Sequence, residues 1–200
     1  MKAHLFLILF LFLFCSNVSA ADEYVDGVFS SNTSQSFHCK ILIPKDFGKF
    51  NEVYLFSRVT ILDSTGKKTK YTASDISGYA FSYHDKKYIF VAKQVEEDGS
   101  KLFLWPLNRG NKINEYYHYT VNAADRDKGS MGAISEVYVL ENAETRETIS
   151  ILRGGTLTDS YKAQMRRFFE NDKKLLTLLA KDVKDFHDIS FFVKEANRNY

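Results

Sequence analysis

The spacing of apolar residues changes once along this chain, and that change limits the folds open to it. From residue 25 to about 153 the pattern has period two and strand-forming chemistry. After Arg153-Gly154-Gly155 it becomes helical. The clearest early strand covers 36–43. Residues 53–62 (VYLFSRVTIL) are apolar on both faces and are predicted as a long central strand. Asp63-Ser64-Thr65-Gly66 reads as a turn, with 68–72 returning as its partner. Further strands are predicted at 78–83, 87–95, 101–107, 115–121, 134–140 and 147–152. Connections carrying Gly, Asn and Asp, such as a hairpin tip at Glu97-Asp98-Gly99-Ser100, favour antiparallel neighbours. About eight such strands must curl, stack or partly close to hide their edges, so a meander, a sandwich and a partly closed barrel all stay open. Two polar stretches without periodicity, 108–114 and 122–132, are the predicted long loops, where function concentrates.

Beyond the two glycines, Thr156-Leu157-Thr158-Asp159 supplies a capping-box-like start. Tyr161, Met165, Phe168 and Phe169 then share one helical face. Asn171 or Asp172 caps a second helix bearing Leu175, Leu178, Leu179 and Val183. Asp185 or Asp188 opens a third, with Ile189, Phe192, Val193 and Ala196 in phase. Burying four large side chains contributes roughly 6–12 kcal/mol at ~1.5–3 kcal/mol each, an upper bound. The helices therefore pack on the sheet or on one another, and no proline-rich or low-complexity linker separates them. The expected class is α+β in one domain, with an antiparallel region over 21–155 and a helical segment of about three helices over 156–200.

Residues 1–20 have the parts of an export signal. Lys2 precedes an unbroken apolar run at 5–14 (LFLILFLFLF), followed by small residues at Val18-Ser19-Ala20-Ala21. Cleavage is expected after Ala20. Ten apolar residues make about 15 Å of helix, too short for a hydrocarbon layer of ~30 Å. Phe14 before Cys15 makes a poor lipid-attachment site. The expected product is exported to the periplasm or the outside, with neither a lipid anchor nor a membrane span. Removing the signal leaves Cys39 as the sole cysteine, so the exported part holds no internal disulfide. Cys39 alternates with Phe37, Ile41 and Ile43 and reads as an inert core thiol. The formal charge of the whole chain is only +2, with acids and bases interspersed, which gives no electrostatic footprint for nucleic acid.

Catalytic signatures are absent from the sequence. There is no Gly-x-Ser-x-Gly, and His38 beside Cys39 points to the opposite face of its strand. His38, His84, His118 and His187 are far apart and form no ligand spacing, so neither metal nor cofactor is implied. Arg153-Gly154-Gly155 lacks the lysine and serine of a phosphate loop and reads as a strand-to-helix turn. The candidate binding residues are aromatic. Tyr116, Tyr117 and Tyr119 place rings on both faces of one strand, and Trp105 stands at a strand end. Whichever face stays open offers a stacking surface for a sugar ring or a protein partner, while core and cross-strand pairing use the same rings otherwise.

Tyr71-Thr72-Ala73-Ser74-Asp75-Ile76-Ser77-Gly78-Tyr79 resembles a Tyr-x-x-x-Asp-Ile-x-Gly-Tyr/Phe segment of secreted proteins from Bacteroidetes-type bacteria, a family without an assigned activity. Ser160-Tyr161-Lys162, Phe168-Phe169-Glu170-Asn171-Asp172 and Phe192-Val193-Lys194-Glu195-Ala196-Asn197 extend the similarity over about 50–197, although Ala196 stands where a tyrosine is usual. The resemblance implies an exported bacterial protein. Asp63-Ser64-Thr65 also matches the pattern on which such bacteria attach O-glycans, making Ser64 a candidate acceptor. The expected function is therefore a non-enzymatic envelope protein that binds a protein or glycan partner. The alternative is an envelope or glycan hydrolase whose carboxylates are gathered by the fold.

Overall fold

The computed structural model describes residues 22–95, 100–121, 134–153 and 157–198. Residues 1–20, expected to act as an export signal, the 122–132 stretch, Gly154-Gly155 and most of the tip at 97–100 lie outside them. The chain forms β1 (Tyr24–Ser31), β2 (Ser36–Leu42), β3 (Lys45–Asp46), β4 (Lys49–Phe50), β5 (Val59–Leu62), β6 (Lys68–Tyr71), β7 (Ile76–Tyr83) and β8 (Lys86–Gln94). It continues with β9 (Lys101–Asn108), β10 (Ile113–Val121), β11 (Ile134–Asn142), β12 (Thr148–Arg153), α1 (Asp159–Phe168), α2 (Lys173–Asp182) and α3 (His187–Arg198). Ten strands make one antiparallel sheet in the order β12-β11-β10-β9-β8-β7-β1-β2-β5-β6, and β3 with β4 forms a small separate hairpin. The sheet is open rather than closed into a barrel. From β7 to β12 it is a plain meander, while β1 inserts between β2 and β7.

Register carries one apolar face across the whole sheet. Phe29 pairs with Tyr79, Tyr79 with Phe90, Ala92 with Phe103, Trp105 with Tyr117, and Tyr138 with Ile151. Residues directly opposite in an antiparallel pair share a face. The helices cover this face at one end, where Ile113, Leu140 and Ile151 meet Met165, Phe169, Leu175, Phe192 and Val193. At the other end Leu55 and Phe56 seal it against Ile41, Ile61, Tyr79 and Phe90. The opposite face has a smaller core of Leu104, Tyr116, Val137 and Val139.

The predicted strand at 53–62 is only partly a strand. Glu52–Phe56 is a 3-10 turn and extended structure begins at Val59. The Asn51 side chain accepts from Val53 N–H (3.1 Å) and caps the turn. Leu55 and Phe56 are consecutive yet both buried, which a turn allows and a strand with its alternating side chains does not. An uninterrupted apolar run fits either structure, and here the aromatic face that must be covered decides. The loop expected over 108–114 also shrinks, because Asn108 still belongs to β9 and Ile113 already to β10.

Helix starts obey the expected chemistry. Thr158 caps α1 by accepting from Tyr161 N–H, and Asp172 caps α2 by accepting from Lys174 and Leu175 N–H. Before α3, Asp185 accepts from His187 N–H while Asp188 reaches back to Lys184 and Asp185 N–H, a reciprocal cap. At the far end of α3, Asn197 Oδ1 accepts from Lys112 and Ile113 N–H (both 3.1 Å), and its Nδ2 donates to Ile113 O (2.8 Å). A Cβ on Gly110 would collide with this carboxamide, so glycine is what lets the β9–β10 loop close over it. Replacing Asn197 by Ala removes three hydrogen bonds to the backbone of a half-buried loop. The expected cost is about 2–3 kcal/mol at ~1 kcal/mol per lost bond, read from the shift of the urea midpoint at unchanged slope.

Candidate functional site

The 71–79 segment builds structure. Asp75 Oδ2 accepts from Thr72 N–H and Thr72 Oγ1 (both 2.7 Å), which pulls the Asp75 carboxyl below its usual range. Tyr79 is buried and its hydroxyl donates to Leu55 O (2.5 Å), pinning the 3-10 turn to the sheet. At Gly78 the backbone of β8 comes so close that a Cβ would lie 2.5 Å from Phe90 O. None of these groups converges on open space.

The four aromatic candidates divide between the two faces. Tyr117 and Tyr119 lie edge-on to Phe56 (ring centroids 5.9 and 5.3 Å), and Tyr119 donates to Glu52 (3.1 Å). Burial pushes both phenols upward. Trp105 leans on Tyr88 and Phe90, and Lys86 Nζ sits 4.5 Å from the centre of its ring, covering the face a sugar would stack on. Tyr116 points the other way and is buried there. Ser64 is exposed in the β5–β6 turn, where Asp63 Oδ1 holds Thr65 Oγ1 (2.6 Å) and where Gly66 adopts φ +83°. It stands on the rim of a shallow trough of about 700 Å³ that also includes Val28, Lys40, Leu62 and Ala80.

Tyr116 leads to a polar centre that no sequence motif marks. Its hydroxyl donates to Glu141 Oε2 (2.6 Å), to which Asn114 Nδ2 also points (3.5 Å). The other oxygen, Oε1, takes Lys93 Nζ at 2.8 Å and Arg146 Nη1 at 2.9 Å. Burial raises the Glu141 carboxyl, yet Lys93, the Tyr116 hydroxyl and Arg146 together outweigh it and leave the group below its ordinary value of 4.5. Lys93 comes from β8 and Glu141 from β11, which are not neighbours in the sheet. Thr148 Oγ1 at the start of β12 likewise donates to Gln94 O on β8 (3.4 Å). The strands from β8 to β12 thus curl over the smaller core, and Glu141 fastens the curl.

Local backbone chemistry places Arg146. Asn142 Oδ1 accepts from Glu144 and Thr145 N–H (2.9 and 3.1 Å), and Asn142 O accepts from Arg146 N–H (2.9 Å). This turn sets Arg146 at φ +66°, a left-handed conformation that a long side chain adopts at a cost of about 1–2 kcal/mol. The guanidinium is thereby brought back onto Glu141.

Two cavities open on either side of this bridge. One, of about 930 Å³, runs between the end of β8, the β11–β12 turn and the C-terminal end of α1 with its link to α2, and Gln164, Arg167, Phe168, Glu170 and Asn171 form its helical wall. The other, of about 550 Å³, lies beside the β9–β10 loop and includes Arg109, Asn114 and Tyr116. Lys93 and Arg146 border both.

The remaining reactive groups lie elsewhere. Cys39 is buried and its thiol is pushed up to about 11 by that burial, so it is a poor nucleophile at neutral pH. Glu115 is fully buried and accepts from Asn108 Nδ2 and Ser190 Oγ, which joins β9, β10 and α3. Among the described residues no three His, Cys, Asp or Glu side chains gather as a metal site, and no helix is long and apolar enough to cross a membrane. Set against protein-family models, curated proteins and solved structures, the chain matches none of them.

Proposed function

We propose that the chain is an exported cell-envelope protein that binds its partner without transforming it, and that the partner is a glycan seated in the groove beside α1. The lining of that groove carries the reading. Gln164 and Asn171 present amides, Arg167 a guanidinium, Glu170 a carboxylate and Phe168 a ring, around a space of about 930 Å³. Planar groups that offer donors and acceptors side by side match adjacent sugar hydroxyls, and an aromatic ring suits the C–H face of the sugar. The volume falls within the range typical of ligand clefts, roughly 300–1,000 Å³. Export rests on the apolar run at 5–14 with its small-residue cleavage site. The similarity to secreted Bacteroidetes-type proteins favours the same destination, the periplasm or the cell surface.

The choice of binding over hydrolysis rests on Glu141. A glycosidase needs one protonated and one free ionised carboxylate at the scissile bond, whereas both oxygens of Glu141, the carboxylate buried in the groove wall, are already taken by Lys93, Arg146, Tyr116 and Asn114. Calorimetric titration of the mature chain with oligosaccharides released from its host's envelope should show binding that Arg167→Ala combined with Asn171→Ala removes. Mass spectrometry should return the oligosaccharides uncut. Binding that ignores both substitutions would rule out the groove, and cleavage products would replace binding with hydrolysis. Protein recovered from its native cells should begin at Ala21.

A further inference from the structure

We infer that the smaller cavity beside the β9–β10 loop is an oxyanion site, built to take a carboxylate or a phosphate group on Arg109, Lys93 and Arg146. The inference concerns a different cavity from the glycan groove and does not depend on that reading. Among the described residues three cations border this space and no carboxylate lines it. The carboxylate of Glu141 sits behind the wall with both oxygens already engaged by Lys93, Arg146, Tyr116 and Asn114. One buried negative charge therefore organises two of the cations without neutralising the set.

The two arginines are suited to a ligand in different ways. Arg146 meets Glu141 through Nη1, which leaves its Nε and Nη2 donors for an incoming oxyanion. Its left-handed backbone conformation keeps a long cationic side chain at a turn position that Asn or Gly would fill without strain. Arg109 is exposed and, among the described residues, makes no hydrogen bond or ion pair, although its charge is felt at the Tyr116 hydroxyl. A planar guanidinium with free donors next to a second one matches the paired oxygens of a carboxylate or a phosphate. Tyr116 and Asn114 hold the floor: the first donates to Glu141, and the second both donates to Glu141 and accepts from Gly110 N–H (3.2 Å).

The test uses the mature chain and three probes in calorimetric titration: sodium phosphate, sodium glucuronate and glucose. Binding of phosphate, of glucuronate or of both supports the site, and the stronger of the two names the source of the anion. Glucose should give no binding at this cavity. Arg109→Gln should weaken the anion about tenfold, the loss expected for one charge-assisted contact, while leaving the thermal midpoint unchanged because Arg109 makes no hydrogen bond or ion pair among the described residues. Binding should also fall as salt rises, since the contacts are exposed. Arg167→Ala with Asn171→Ala, which disables the glycan groove, should leave anion binding intact. Absence of heat with both anions, equal binding of glucose and glucuronate, or an affinity unchanged by Arg109→Gln would each overturn the site.

Discussion

Glu141→Gln lowers the unfolding free energy by about 3 kcal/mol, near the lower end of the roughly 3–5 kcal/mol lost when one partner of a buried ion pair is removed. The Glu141 side chain is almost wholly enclosed, so its charge is what keeps Lys93 at ease in the curl. The lower end applies because the Lys93 side chain is 22% exposed and can recruit water, and Arg146, at 64%, loses little. Gln retains the Tyr116 hydrogen bond in shape, so the loss reports the charge. Lys93→Met in the Glu141→Leu background should be more stable than either single substitution, since an apolar pair suits the adjoining Val91, Val139 and Leu104 core. Urea denaturation of the four proteins measures this cycle. A Glu141→Gln cost below about 0.5 kcal/mol, the level of an ordinary surface substitution, would mean that the junction does not hold the strands.

Phe56→Ala should cost about 4 kcal/mol, within the roughly 3–5 kcal/mol range for deleting a fully packed phenylalanine. Phe56 fills the space between Phe90, Tyr117 and Tyr119 with edge-to-face geometry, and an alanine leaves that space empty because the strands around it are fixed by their own ladders. Leu55→Ala should be comparably severe at about 3 kcal/mol, while Tyr54→Ala, with a side chain 42% exposed, should cost under about 1 kcal/mol. Two adjacent severe positions preceded by a mild one is the pattern of a turn pressed onto a sheet. If severity instead alternated, with Tyr54 and Phe56 severe and Leu55 mild, the segment would be a strand after all. Equilibrium unfolding in urea distinguishes the two patterns.

All three helices and most strands were legible because period and caps are local, whereas β1 and the short β3–β4 hairpin were not singled out. Ile189, Phe192, Val193 and Ala196 share a stripe whose burial needs no knowledge of the partner, and Asp172 announces the start of its helix by chemistry alone. The 3-10 turn was hidden because a run such as Val53-Tyr54-Leu55-Phe56 is equally apolar in a strand, and the deciding fact is the aromatic face it covers. The only local hint was Asn51, a capping residue directly before the turn. The aromatic residues singled out from sequence mark real rings, yet three of the four are engaged by neighbours that sequence distance conceals, Phe56 for Tyr117 and Tyr119, and Lys86 for Trp105. Only Tyr116 touches the polar centre.

That centre did leave a trace. Glu141 falls in phase with Val137 and Val139, so a carboxylate occupies a position where the strand's own alternation calls for an apolar residue. Lys93 similarly comes two residues after Val91 on the same face of β8. A charge in phase with a buried stripe demands a counter-charge, but which one cannot be read from spacing when the partners are 48 residues apart and belong to strands that are not neighbours. Curling of the sheet brings them together, and no local signal encodes it.

Both cavities are bordered by Lys93 and Arg146, the two cations that ionised Glu141 holds in place. Its depressed pKa means that it stabilises the fold at and above the ordinary carboxylate value of 4.5, and that this contribution is lost as the pH falls through the lower folded-state titration. The side-chain carboxyl carbon of Glu141, monitored by NMR through an acid titration of the folded protein, reads that group alone. A midpoint below 4.5 that moves upward in Lys93→Met is the expected result. A midpoint at or above the ordinary value, unmoved by that substitution, would contradict the junction and remove the ground beneath both sites.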